Sequence, residues 1–425
     1  MKKHIKLFVV LGILLVGSFS FSLFKGFKKD NMVYEDNKIN PLSSGIAMMF
    51  ETEAGSGNYE MTTRSEWPTE GYVFNENLSK CEKGSKLSWD NENKMVLMNV
   101  NKSDKCYVYF DVFKPMSLAE YVVSQYTGTQ GESGIYYHDA NLSNGAGDNS
   151  YRYAGASEAV NNYVCFGSNV TPCPTDNLYR IIGVFGDKVK LIKSDYATTA
   201  LLGADGDYSK MYTANNWDNS NYKGNNLANI AGYTWNYKNN TTINSGYGSN
   251  TWSTSLLNKT NLNKNFITNI GADWAAKIAD TTWKVGGNTW ANIGTQLAKT
   301  AYQNEIVSPV TTNSTDSATE YSAKIGLMYA SDYGFAAAPS AWTTQLNSYN
   351  GEAIKNVNWM YMVLLEWTIS RYADSVSIAF YVFRTGYVSY GNANLALALR
   401  PVFYLASSVN YVSGSGTAAD PILVN

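Results

Sequence analysis

Histidine is nearly missing from this chain of 425 residues, which has only His4 and His138. Ser-His-Asp and Cys-His nucleophile arrangements would therefore have to be built on His138 alone. His138 sits in IYYHDANLSNGAGDNS, a polar, turn-rich stretch, and reads as a solvated loop histidine. Cysteine is as scarce: Cys81, Cys106, Cys165 and Cys173, with none afterwards. A zinc site needs converging ligands at CxxC-type spacing, usually with histidine, and neither is present. Charged residues make up 16% and the net charge is −2, so there is no basic footprint and nucleic acid is excluded as a partner. No G-x-S-x-G elbow, P-loop or dinucleotide fingerprint occurs, and no cofactor is expected. Carboxylates remain as possible catalysts, with Glu366 and Asp332 the candidates, and Glu366 beside Trp367 reads first as a scaffold contact. Asp205 and Asp207 in ADGDYS lack the spacing of a calcium loop and read as a turn.

What the chain does have is tyrosine (32), tryptophan (11), glycine (34) and abundant Asn, Ser and Thr. Tyr and Trp supply large, stiff contact area, while Ser, Gly and Asn supply adaptable hydrogen bonds, a mixture suited to recognition surfaces. An ordinary β-rich protein with polar loops has the same composition. The hydrophobic fraction of 44% supports a real core. The length suggests two or three domains.

The first 29 residues bear on the compartment. MKKHIK is basic, and no charge occurs between Lys6 and Lys25, across LFVVLGILLVGSFSFSLF. That run is long for a signal-peptide core and just sufficient for a tilted membrane helix. An uncleaved membrane anchor is the first reading and a cleaved export signal the second. Both place the remainder outside the cytoplasm. Four cysteines allow three connectivities, and the nearest-neighbour one, Cys81 with Cys106 and Cys165 with Cys173, suits an exported chain.

Residues 30–44 read as a polar spacer. From 45 to 113 the runs IAMMFETE, GYVF, KLSWD, KMVLMNV and CYVYFDVF predict a small all-β domain stapled by Cys81 and Cys106. Residues 114–135 carry one short helical pattern and then a Gly/Ser/Thr linker. One larger domain is expected over 136–425. Within it, YRIIGVF and KVKLIKS predict a hairpin turned at Gly186-Asp187. TSLLNKTNLNKNFITNIG and NIGTQLAKTAYQNEI have helical character. Short strands and helices between long loops predict an α+β domain, and binding residues gather on such loops.

The stretch Arg371 to Leu405 is the most informative. Ile378, Phe380 and Val382 alternate with Ala379, Tyr381 and Phe383, a strand period. Thr385-Gly386 turns the chain, YVSYG follows as a second strand, and NLALALR forms a third run that could also be helical. If Phe380, Val382 and the leucines face the core, then Tyr381, Phe383, Asn392 and Asn394 project outward. The alternative is a sheet buried on both faces, in which those aromatics are core.

The segments NNYVCFG, CPTDNLYRIIGVFG, KLIKSDYA, IGLMYASDYGFA, NWMYMVLLEWTISR and LRPVFYLASSVNYVSGSGTAADPILV resemble exported bacterial proteins with a C-type-lectin-like domain of the formylglycine-generating-enzyme type. The frame EWTISR, then a run, GYV and RPVFYL is similar to the variable region of ligand-binding proteins diversified by retroelements or recombination. The resemblance implies a C-type-lectin-like fold over 136–425, with Trp367, Ile369, Arg371, Gly386, Arg400 and Pro401 as scaffold. It places Asp374, Ser375, Val376, Ser377, Tyr381, Phe383, Arg384, Tyr390, Asn392 and Asn394 on a displayed surface for a protein or glycan ligand. Enzymes of the same fold use paired thiols, which have no counterpart after Cys173. A cell-wall or glycan-modifying enzyme using carboxylates and a structural surface component are the alternative readings.

Overall fold

The computed structural model describes residues 32–34, 45–64, 66–99, 104–212, 222, 230–237, 246–309 and 318–425. The anchor or signal expected over 1–29 lies outside them. No helix among the described residues is long and apolar enough to cross a membrane. The architecture is mixed α+β, in two compact units, Met1–Pro115 and Met116–Asn425.

In the first unit, strand Ile46–Glu51 runs parallel to Cys106–Val112, with Tyr59–Met61 and Tyr72–Phe74 completing one sheet. Lys86–Asp90 and Met95–Asn99 pair in a second sheet. All five expected runs form strands. Period-two patterning sends Met48, Val108 and Phe110 inward, where they pack with Trp67 and Val96 in a small core. Cys81 lies directly opposite Cys106, and the two form a disulfide, as expected for a unit too small to hold a large core. Asp104 approaches the two sulfurs, but these are bonded to each other and Asp104 accepts from the N–H groups of Lys83 and Ser85. That trio is a stapled turn rather than a metal centre.

The second unit is organised around the hairpin Leu178–Phe185 and Lys188–Lys193, at the centre of a nine-stranded sheet. Gly186 takes φ +64, the left-handed conformation that the tight turn demands. Val402–Tyr404 pairs with the second arm and Tyr163–Cys165 with the first, and Ile422–Val424 runs parallel to the latter. Both arms are buried on both faces, which is why they read as continuous apolar runs. Cys165 and Cys173 form the second disulfide. The two helical patterns become a wide-turned helix over Leu257–Asn265 continued by Phe266–Ile270, and Ala298–Tyr302 continued to Val307.

Two expectations are corrected here. The linker expected over 114–135 is instead mostly part of the second unit, which begins at Met116, and its short helical pattern does form a helix. Ser117 and Glu120 form a capping box that starts helix Leu118–Ser124, whose Leu118 and Val122 enter the main core. Tyr121 stacks on Tyr411 at 3.7 Å, and Gly128, Gly131 and Gly134 turn the chain through left-handed conformations into strand Ile135–Tyr137.

His138 is not solvated either, being fully buried. Its Nδ1 accepts from the Ala146 N–H at 3.0 Å, and the ring packs against Phe335 and Trp342. Burial and then the charge of Arg152 push the imidazole pKa well below its ordinary value, with Asp148 opposing. The folded pKa is thus depressed below the unfolded one. The unfolded chain takes up a proton below about pH 6.5 that the folded chain does not, so stability is lost as the pH falls, by at most about 1.4 kcal/mol per unit. Urea unfolding of wild type and His138→Phe between about pH 7 and 5 tests this. The wild type should lose stability on acidification faster than the variant; parallel pH profiles would refute the assignment.

Candidate functional site

Strands Ile378–Val382 and Val388–Asn392 of the Arg371–Leu405 segment complete a four-stranded sheet in the order Gly287–Asn288, Glu366–Tyr372, Ile378–Val382, Val388–Asn392. Buried polar groups hold its frame in register. Trp367 donates its indole N–H to the Tyr233 carbonyl at 2.9 Å, and Thr368 donates its hydroxyl to the Phe380 carbonyl. Glu366 accepts two bonds from Arg400, 2.7 Å from Nε and 2.9 Å from Nη2, with both groups buried. Trp367, Ile369, Arg371, Gly386, Arg400 and Pro401 are all buried, as scaffold positions must be.

The loop joining the first two long strands is held from beneath by Asn250, which is fully buried. Its side-chain amide lies 2.6, 2.7 and 3.0 Å from the carbonyls of Tyr372, Ser375 and Ile378. Its backbone N–H donates to the Val376 carbonyl at 2.8 Å. A single asparagine thereby fixes the path of residues 372–378 and leaves Asp374 exposed at the tip.

Cross-strand register decides which side chains share a face. Phe380 lies opposite Tyr390 and Ile378 opposite Asn392, while Tyr381 lies opposite Ser389 and Ala379 opposite Gly391. Residues paired across antiparallel strands point the same way, so Tyr390 and Asn392 belong with Phe380, not with Tyr381. The expected outward row of Tyr381, Phe383, Asn392 and Asn394 is corrected accordingly. Tyr381 is only 8% exposed, with its ring edge-on to buried Trp367 at 5.8 Å. Phe383 and Arg384 are half-buried at the far turn, where Phe383 packs against Tyr387 and the Arg384 carbonyl accepts from the Tyr361 hydroxyl. Ser377 is buried and holds the Ala393 N–H through its carbonyl at 2.7 Å. Of the two readings open for this strand, the one buried on both sides describes it.

The opposite face carries an aromatic cluster. Tyr390, 40% exposed, stacks on Tyr372 at 4.7 Å and meets Trp290 edge-on at 5.1 Å. Phe380 lies beneath, fully buried, 5.5 Å from Tyr372. The parallel pairing of Asn288 with Tyr372 brings Trp290 into this group. The rim is polar: the phenol of Tyr372 is raised above its ordinary pKa by burial first and by the charge of nearby Asp374 second. Ser375, Val376 and Asn392 are half-buried beside the loop. Asn394 donates to the Gly246 carbonyl from its side chain and to Tyr247 from its backbone, tying in a stretch that exposes Tyr247 at 56%.

Of the ten residues expected at the surface, the structure therefore groups Asp374, Ser375, Val376, Tyr390 and Asn392, with Asn394 alongside. Ser377, Tyr381, Phe383 and Arg384 stand apart. Trp290, Tyr372 and Asn250 were missed. The first two lie outside the alternating run, and only the parallel register of a two-residue strand brings Trp290 near.

Both carboxylates considered for catalysis are locked in buried ion pairs, Glu366 with Arg400 and Asp332 with Lys190. Asp207 accepts from the N–H groups of Tyr237 and Leu257, and Asp205 from the Asn265 amide, as turn and helix contacts. Comparison with family models, with characterised proteins and with solved structures finds no match to this chain.

Proposed function

We propose that the chain is an extracytoplasmic binding protein, tethered or released at its N-terminus. In this reading it presents the Trp290–Tyr372–Tyr390 face to a protein or glycan on another surface. The observation that carries the reading is a half-exposed ring held in place by three others, at the edge of a loop whose backbone is already pinned. Rings immobilised before contact lose little entropy on binding, and a flat aromatic centre with Asp374, Asn392 and Ser375 at its rim has the make-up of an interface hot spot. Two disulfides support an oxidising compartment, and the apolar run from Leu7 to Phe24 supports export. A C-type-lectin-like identity for the second unit belongs to the same proposal and rests on the motif resemblance alone.

The test compares wild type with Trp290→Ala/Tyr390→Ala on arrays of immobilised glycans and of extracellular proteins. A partner captured by the wild type should bind the double variant at least about tenfold more weakly, the loss of one anchor's worth of contact. The Tyr381→Phe variant, altered on the inner face, should bind as the wild type does. A partner held equally by wild type and the double variant would sink this assignment of the face.

A further inference from the structure

One cluster of charged groups is left unexplained by a binding face on the other sheet. Lys190 lies on the central strand and Asp332 in the first turn of helix Ala330–Phe335. Lys190 Nζ is 2.5 Å from Asp332 Oδ2, and each side chain is 1% exposed. The rings of Tyr329 and Tyr404 flank the ammonium at 4.8 and 5.4 Å, with Phe185 and Trp283 slightly farther. Asp332 cannot swing away, since Oδ2 also accepts from the Tyr329 N–H at 3.0 Å. Its other oxygen, Oδ1, is buried without a hydrogen-bond partner, and so is Nη1 of Arg152, 3.8 Å away. Glu305 fixes the helix start by accepting from the N–H groups of Ala330 and Ser331.

We propose that Lys190 and Asp332 condense to an isopeptide bond, cross-linking the central strand to helix Ala330–Phe335. The chemistry needs no external reagent. A proton passes from Nζ to Oδ2 along the existing contact, converting two charges into an amine and an acid. The Nζ lone pair then attacks Cγ, the Cγ–Oδ2 bond breaks, and Oδ2 departs as water with a second proton from Nζ. One hydrogen stays on the new amide, and Oδ1 becomes its carbonyl oxygen. Negative charge develops on Oδ1 during the attack, toward Nη1 of Arg152.

Burial supplies the driving force. Two ions in an aromatic enclosure carry a desolvation penalty that a neutral amide does not. Burial lowers the Lys190 pKa, with Asp332 opposing, and burial raises that of Glu305. Both shifts favour the uncharged forms in this pocket. The groups facing the pair are Arg152, Asp148 through its 2.6 Å bridge to Arg152, and Glu305. Arg152 acts on the reacting oxygen, and Glu305 is a positioning residue for the helix that presents Asp332. The cross-link stands or falls independently of the binding face.

The experiment is peptide mapping by mass spectrometry on the full chain, with both disulfides reduced. The expected result is a branched peptide joining the Lys190 and Asp332 segments, lighter by one water than the sum of its parts. It should be missing from Lys190→Arg, which keeps the charge but forms no amide. The Arg152→Gln variant should show a smaller branched fraction at equal times after synthesis, while Glu366→Asp, at the other buried ion pair, should retain it. Near-ultraviolet circular dichroism establishes that each sample is folded. Linear peptides only from folded wild type would overturn the proposal, as would loss of water without the branched species.

Discussion

Replacing Glu366 by glutamine is expected to destabilise the second unit by about 4 kcal/mol, the scale for removing one partner of a buried ion pair. The neutral amide leaves the Arg400 guanidinium charged in a site where water cannot reach it. Register puts the pair there. Trp367 donates its N–H to the Ala398 carbonyl and Ala398 donates to Leu365, so the first residue of strand 366–372 lies two residues from Arg400 in the neighbouring run. Arg400 also donates to the Met360 carbonyl at 2.7 Å, so one guanidinium fastens three segments. The double variant Glu366→Leu/Arg400→Met removes both charges and should recover at least half of the loss, giving a coupling of about 2 kcal/mol. Equilibrium unfolding in urea reads both numbers. A single-variant loss below about 1 kcal/mol, the value for a surface pair, would mean that the pair is hydrated and not a keystone.

How much of this was legible beforehand depends on whether a local pattern carries the information. The hairpin 178–193 was readable because two long β-branched arms flank Gly186-Asp187, which can make the turn that their twist requires. Both disulfides were readable because each closes a short loop, of separation 25 and 8. The facing of IAFYV was not. Apolar residues occupy both phases of the strand, so alternation is present without a label for the inside, and register with Tyr390 alone supplies it. His138 misled because its sequence neighbours are polar, whereas the residues that cover it, Phe335 and Trp342, come from a distant part of the chain. No local pattern marks Lys190 or Arg152 as buried. Their anions are Asp332, brought in by a helix start far downstream, and Asp148, from a loop whose fold no period announces.

The same blindness applies to Asn250, whose three carbonyl partners lie 122 to 128 residues downstream. Asn250→Ala should therefore have an effect out of proportion to its size. It leaves the carbonyls of Tyr372, Ser375 and Ile378 without their common donor inside the fold, and an unmet buried acceptor costs about 1–3 kcal/mol. We expect about 3 kcal/mol of lost stability, less than the full sum because a released loop lets water in. Unlike loss of the Glu366–Arg400 pair, the damage should be local. Residues 372–378 should become the first site of limited proteolysis, while the hairpin 178–193 keeps its amide-exchange protection. Tyr372 and Asp374 sit on that loop, so any partner captured through the Trp290–Tyr390 face should be lost even though no contacting side chain has been changed. Unaltered cleavage at 372–378, or capture as strong as in the wild type, would show that the loop holds its shape without this amide and that the face is fixed by its rings alone.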